Sequence, residues 1–159
     1  MITLKLKKLH DQATIPTKKF YSDAGWDLYS AEELSIPAGE QRMISTGIWL
    51  AGIESVHLED KPELWNIVLQ VWSRSGMDAK KGLHVGAGIV DQDYRGEILV
   101  LLKNTSNKDQ LISVGDKIAQ MVTLYLPQTN VVETEEIDET DRGEQGGITE
   151  YHKGVKGEA

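Results

Sequence analysis

Apolar residues recur at every second position in short runs along most of this chain. Such alternation places successive side chains on opposite faces of an extended strand. The alternating runs are 2–6 and 44–50, and further runs of apolar or β-branched residues with the length of a strand are 65–72, 97–103 and 118–126. They are separated by turn-forming residues at 22–25, 37–39, 104–107 and 114–116. Many short strands between polar turns predict an all-β sandwich or barrel, and residues 77–81 are the one helical candidate.

The composition excludes several classes of function. The chain has 17 Lys and Arg residues against 25 Asp and Glu residues, a formal net charge of −8. An acidic surface repels the phosphate backbone of DNA or RNA, so no polymeric nucleic acid is expected as a partner. The absence of cysteine excludes disulfides, thiolate metal sites and a cysteine nucleophile. With no signal peptide or membrane-spanning stretch in the sequence, we expect a soluble intracellular protein. The expected compartment is the cytoplasm of a cell or host cell, with the nucleus as an alternative.

Two regions depart from the strand pattern. Residues 51–64 contain Gly, Pro and mixed charge, and we expect a loop there. This loop is either a surface for a protein partner or a tolerated insertion, the second being the simpler interpretation. From residue 132 the chain is acidic and then rich in glycine, with few core-forming residues. The sequence therefore predicts a β-barrel domain at 1–131 and a flexible C-terminal arm at 132–159.

Three glycine-containing segments carry groups suited to a phosphorylated ligand. The segment 74–76 is Arg-Ser-Gly, which offers a guanidinium fork, a hydroxyl and closely approachable backbone N–H groups. Residues 85–97 flank an acidic turn with apolar runs and are predicted to form a β-hairpin that presents a carboxylate. Residues 115–120 form a tight turn into a strand that carries Gln120. Taken singly, each segment is better explained as a structural turn.

Taken together and in order, the segments resemble the motifs of the trimeric dUTPase family, whose members split dUTP into dUMP and pyrophosphate. The matching segments are 23–28, 74–76, 88–96, 115–120 and, in part, 142–147. The resemblance covers essentially the whole chain. It implies a jelly-roll-like β fold (β-clip) and a homotrimer in which the arm closes the active site of a neighbouring subunit. The implied role is to supply dUMP and to limit uracil incorporation into DNA.

The resemblance also implies roles for the residues that match the third motif. Asp91 would orient and deprotonate the water that attacks the α-phosphorus. Tyr94 would lie against the deoxyribose and leave no room for a 2′-hydroxyl. Uracil would be read by the backbone and by an opposing strand, at Gly88, Ile89, Val90 and Leu99.

The remaining motifs imply the phosphate site. The triphosphate would be held by Arg74, Ser75, Gly76, Gln120 and the arm's Arg142. Mg²⁺ would bridge the phosphate oxygens, and no set of protein ligands is expected because phosphates and water complete its coordination. Asp27 either contacts the metal through water or only braces the site.

The chain departs from the family pattern in the arm. The family's arm usually carries an aromatic residue that stacks on uracil, and the aligned residue here is Gly147. We therefore expect weaker closure over the base, with Ile148, Tyr151 or His152 as candidate substitutes.

Two other functions compete with dUTP hydrolysis. A dCTP deaminase resembles the same fold, but it needs a Glu where this chain has Leu101, so deamination is disfavoured. A non-catalytic binding module that responds to a nucleotide is the alternative from another class. The joint presence of Arg74, Asp91, Tyr94 and Gln120 favours catalysis over this alternative.

Overall fold

A computed structural model describes residues 2–55 and 65–141 of the chain. In these residues it contains eleven strands and one short helix, and it confirms the all-β class. The strands are β1 (Ile2–Lys8), β2 (Trp26–Tyr29), β3 (Leu34–Ile36), β4 (Gln41–Ile44), β5 (Ile48–Ser55), β6 (Trp65–Trp72), β7 (Leu83–Val85), β8 (Ile89–Asp91), β9 (Val100–Asn104), β10 (Gln110–Ile112) and β11 (Lys117–Pro127). The helix, α1 (Ser75–Lys81), lies between β6 and β7.

The strands pair antiparallel in four small sheets. The largest has the order β2-β11-β6-β8, and a second has the order β4-β9-β7. Two further pairs are β1 with β5 and β10 with β3. Strand β11 is central in the largest sheet, where Gln120 lies opposite Asp27 of β2 and opposite Trp72 of β6. This register brings three segments that are distant in sequence to one place in the fold.

The core consists of aliphatic side chains at the inward positions of the strands. Strand β9 shows the alternation, since Val100, Leu102 and Asn104 are buried while the residues between them are not. The amide nitrogen of Asn104 donates hydrogen bonds of 2.8 Å to the carbonyls of Ile36 and Lys108. These bonds satisfy a buried polar group and tie β9 to the end of β3.

Two predicted strands and the predicted loop differ from the structure. The run 44–50 is interrupted, because β4 ends at Ile44, β5 begins at Ile48, and Gly47 between them has φ of 64°. This left-handed conformation suits glycine and breaks an extended strand. The run 97–103 becomes a strand only from Val100. The loop prediction is wrong for residues 51–55, which continue β5, and the rest of that region lies outside the described residues.

The segment 85–97 is not a simple hairpin. Strands β7 and β9 pair with each other, whereas β8, which lies between them in sequence, pairs with β6. Gly88 permits this departure by its close approach to β6, where its carbonyl accepts a hydrogen bond of 2.6 Å from the Val71 amide. A Cβ atom at residue 88 would lie 2.4 Å from the Val71 carbonyl oxygen. The backbone of 86–91 therefore crosses from one sheet to the other.

The helix begins two residues earlier than predicted. Arg74 precedes it in an extended conformation, with φ of −86° and ψ of 135°. Met77 is the buried residue of the helix, and Gly82 ends it at φ of 63°. Ser75 and Gly76 consequently belong to the first turn of α1.

The chain divides into two compact units, residues 1–128 and 129–159. All the strands and α1 lie in the first unit. In the second unit residues 129–141 are described, and they contain neither helix nor strand. The predicted division at 131/132 and the predicted closure of a neighbour's site by the arm stay predictions. No helix in the described ranges is long and apolar enough to cross a membrane.

Candidate active site

The predicted site residues that the structure describes line two pockets of the first unit. The β8 pocket has a volume of about 500 Å³, and the cation pocket a volume of about 520 Å³. The β8 pocket contains Gly88, Ile89, Val90, Asp91, Tyr94 and Leu99. The cation pocket contains Asp27, Arg74, Ser75, Gly76 and Gln120. Arg142 and Gly147 lie outside the described residues.

The turn after β8 places Tyr94 and Asp91 at the same pocket. The Tyr94 amide donates to the Asp91 carbonyl at 3.1 Å, and the Tyr94 hydroxyl donates to the Glu97 carbonyl at 2.9 Å. A Cβ atom at Gly96 would lie 2.3 Å from the Tyr94 hydroxyl oxygen, so this ring position requires glycine there. The Asp91 side chain is exposed and lines the pocket. A fixed aromatic ring thus lies beside a solvated carboxylate.

Asp27 joins two cations in the cation pocket. Its Oδ1 accepts a hydrogen bond of 2.7 Å from Nε of Arg74, and its Oδ2 accepts one of 2.8 Å from Nζ of Lys117. The Asp27 side chain is only 15% exposed, and a carboxylate at that depth needs such partners. Because Arg74 uses Nε for this contact, its terminal nitrogens remain for a second anion. In the part of the chain that the structure describes, Nη1 makes one long contact, 3.5 Å to the Lys117 carbonyl.

Lys117 is a site residue that the sequence reasoning missed. Its position within the matching segment 115–120 is the sequence feature that could have identified it. The hydrogen bond from its ammonium group to Asp27 raises the pKa of Lys117 above its ordinary value of 10.5, while desolvation acts in the opposite direction. Lys19 also lines this pocket, as does the carboxylate of Asp23. Cations therefore outnumber carboxylates here, although the whole chain is acidic, and the pocket suits a polyanion.

Replacing Lys117 by Gln should give a pH-dependent loss of stability. A group whose folded-state pKa is raised stabilises the fold fully below its unfolded-state pKa, and this contribution is lost as pH rises through the folded-state pKa. We expect the melting temperature of the variant to lie slightly below that of the parent at neutral pH. This difference should stay constant up to the ordinary lysine pKa of 10.5 and should shrink above it. Thermal unfolding followed by circular dichroism measures this difference, and a gap that closes already between pH 7 and pH 9 would contradict the prediction.

Gln120 is held in one orientation at the edge of the cation pocket. Its Nε2 donates a hydrogen bond of 2.9 Å to the Ser73 carbonyl. A Cβ atom at Gly25 would lie 2.7 Å from the Gln120 Oε1, so the first matching segment makes room for this amide. Ser75 and Gly76 supply N–H groups from the first turn of α1, where a helix has no preceding carbonyls to bond them. A Cβ atom at Gly76 would meet nothing within 4 Å.

An added methyl group should affect stability at Gly88 and ligand binding at Gly76. Gly88→Ala should destabilise the fold by about 1–3 kcal/mol, because the methyl group would press on backbone that cannot move aside. Gly76→Ala should leave the melting temperature unchanged or slightly raised, because alanine favours a helix, and should weaken the binding of a phosphorylated ligand, because the methyl group would occupy space in the cation pocket. Melting curves and calorimetric titration with a nucleotide separate the two effects. Equal loss of stability in both variants would show that Gly76 is constrained by packing.

The site residues that the structure describes do not form a preformed metal centre. Within the described ranges no group of three His, Asp or Glu side chains is arranged to hold a metal ion. Asp27, the carboxylate suggested for a water-mediated contact, has a cation at each oxygen. The residues present therefore fit a metal ion that arrives with the phosphates of a ligand and is held mainly by them.

The family model and the similar proteins of known name agree on one family. The dUTPase family model matches residues 11–149. The deoxyuridine 5′-triphosphate nucleotidohydrolase of Yarrowia lipolytica is 35% identical over 147 residues, with 91% of this chain and 87% of the relative covered. The enzyme of that name from Clostridioides difficile is 38% identical over 148 residues, with 92% and 96% covered.

Solved structures give the same family. A variant dUTPase of phage 80alpha superposes with a TM-score of 0.75 at 25% identity, over 92% of this chain and 98% of the phage chain. A variant dUTPase of the Staphylococcus aureus phage phi11, described with a structural Mg(II) ion, has a TM-score of 0.69 at 24% identity, over 86% of this chain and 99% of that one. The dUTPase family model spans most of the sequence, and the fold is shared with solved dUTPases. This chain therefore belongs to the dUTPase family.

Proposed function

We propose that this protein hydrolyses dUTP to dUMP and pyrophosphate. The observation that carries the proposal is the pairing of an aromatic ring with a solvated carboxylate in one pocket and a cluster of cations in another. These are the groups that a nucleoside and its triphosphate require. Relatives at 35% to 38% identity that align over most of their own length carry the name of this activity.

The nucleoside would occupy the β8 pocket. Backbone groups of Gly88, Ile89 and Val90, with the backbone of Leu99 opposite, would read the edge of uracil. Tyr94 would pack against the deoxyribose, and its hydrogen bond to the Glu97 carbonyl keeps the ring from moving aside for a 2′-hydroxyl. Such a fixed wall discriminates by shape between dUTP and UTP.

Asp91 would activate the attacking water. The carboxylate accepts a proton from the water, the water oxygen attacks the α-phosphorus, and pyrophosphate leaves. The exposure of Asp91 supports this role, because the carboxylate is accessible to both water and substrate.

The phosphates would lie in the cation pocket. Arg74, Ser75, the N–H of Gly76 and Gln120 would bind them, and Arg142 of the arm would add a further cation. Asp27 would hold Arg74 in place for this task. Mg²⁺ bound with the phosphates would neutralise charge on the departing pyrophosphate.

One nucleotide would bind between two copies of the chain in a homotrimer. In the described part of one chain, the β8 pocket and the cation pocket have no lining residue in common. A site shared between copies brings the two pockets together across a symmetric interface. The Asp91 of one copy would then act on phosphates held by Arg74 of another.

The decisive experiment is pyrophosphate release from dUTP, dCTP, dTTP and UTP in the presence of Mg²⁺. We expect release from dUTP alone. Ammonia from dCTP would indicate deamination, which is disfavoured because Leu101, an aliphatic side chain, lies in the β8 pocket where a proton-transferring group is needed. Tight binding of dUTP without turnover would identify a nucleotide-responsive binding module instead.

A further inference from the structure

Met43 lies in the wall of the β8 pocket, and none of the segments that match the family motifs contains it. It belongs to β4, where it faces Leu101 of β9 across the sheet, and Leu101 lines the same pocket. The Met43 side chain is 52% exposed. A large apolar side chain at a pocket wall, open to solvent, is a surface that a ligand can cover.

The backbone that follows Met43 is fixed to another part of the pocket wall. Glu97 lines the pocket, and its Oε1 accepts hydrogen bonds from the Ser45 hydroxyl at 2.5 Å and from the Gly47 amide at 2.8 Å. The Thr46 hydroxyl donates to the Ile98 carbonyl at 2.6 Å. The end of β4 is therefore held in place, while the unbranched thioether side chain can adjust to what binds beside it.

The rest of the pocket wall indicates what Met43 would contact. Ile89 is 62% exposed and Leu99 is 41% exposed, so the exposed wall is largely apolar. The backbone at these positions is where uracil is proposed to be read. A sulfur atom makes favourable contacts with a flat, polarisable ring, and a pyrimidine is such a ring.

Building on the proposed function, we propose that Met43 is a substrate-binding residue whose side chain packs on the pyrimidine base in the β8 pocket. The test separates contact with the base from contact with the rest of the nucleotide. Titration calorimetry measures the affinities of the parent and of Met43→Ala for dUMP and for 2-deoxyribose 5-phosphate, which lacks the base. Steady-state kinetics with dUTP give kcat and KM for the same proteins.

We expect Met43→Ala to lower the affinity for dUMP about three- to tenfold. Its affinity for 2-deoxyribose 5-phosphate should not change, and KM for dUTP should rise while kcat stays the same. Met43→Leu, which conserves volume, should recover most of the dUMP affinity. Leu111→Ala is the matched control, because Leu111 is 60% exposed on β10, outside both pockets, and it should alter none of these values.

Three results would overturn the proposal: unchanged dUMP affinity in Met43→Ala, an equal loss for both ligands, or a fall in kcat alone. Because Met43 is half-exposed, the shortened variant should fold, and its melting temperature verifies this. Failure of the proposed function has a different signature. If the parent protein binds dUMP but releases no pyrophosphate from dUTP, the proposed hydrolysis fails, and the two binding comparisons still decide the role of Met43.

Discussion

Asp91→Asn should bind dUTP with near-parental affinity and release pyrophosphate about 10²- to 10⁴-fold more slowly, the range that a positioned general base contributes. The amide has the shape of the carboxylate but cannot accept a proton from water. Because Asp91 is exposed and its side chain is not part of the core, the substitution should leave the fold intact. Calorimetric titration with dUTP and a coupled pyrophosphate assay measure the two effects separately.

Asp93→Asn is the matched control for this variant. Asp93 is an exposed carboxylate in the same turn, and its replacement changes the net charge by the same amount. We expect it to keep a near-parental rate. Full activity in Asp91→Asn would remove Asp91 from the mechanism, and an equal fall in both variants would attribute the effect to the charge of the turn.

Arg74→Lys should lower kcat/KM for dUTP about 10²- to 10³-fold, as loss of a preorganised donor does in other active sites. The guanidinium of Arg74 gives Nε to Asp27 and keeps its terminal nitrogens for a phosphate. An ammonium group is a single compact charge and cannot reproduce this two-sided contact. Arg42→Lys is the control, because Arg42 is half-exposed and pairs with Glu40 outside both pockets. An equal loss in the control would contradict a specific role for Arg74.

Mixing the two inactive variants tests whether sites are shared between copies. If Asp91 and Arg74 of different copies form one site, random trimers of Asp91→Asn and Arg74→Lys contain intact sites, and about a quarter of the parental activity should return. If both residues of a site come from one chain, mixing restores nothing. Refolding the variants together, with the separately refolded proteins as reference, provides the measurement.

Local sequence chemistry predicted much of this molecule. The run of apolar and β-branched residues at 65–72 predicted a strand, and the structure has β6 at the same residues. Together, the segments 23–28, 74–76, 88–96 and 115–120 contain most of the residues that line the two pockets. These predictions succeeded because strand faces, turns and short motifs depend on residues close together in the chain.

Other features depend on residues far apart in sequence and could not be predicted in this way. Lys117 and Asp27 are 90 residues apart, and only the pairing of β11 with β2 makes them neighbours. Met43 reaches the β8 pocket because β4 pairs with β9. The departure of β8 toward β6 depends on the contact of Gly88 with Val71. No local pattern in the sequence carries these pairings.

By itself, the sequence determined an all-β chain whose ordered motifs supply a carboxylate, an aromatic ring and an Arg-Ser-Gly turn. Its net charge of −8 disfavours the binding of nucleic acid polymers. Only the tertiary structure decided that the positive charge gathers in one pocket around Asp27, and that the ring and carboxylate lie in another. The physical reason is that side-chain alternation fixes which face a residue occupies, while strand register, set by long-range packing, fixes which residues meet.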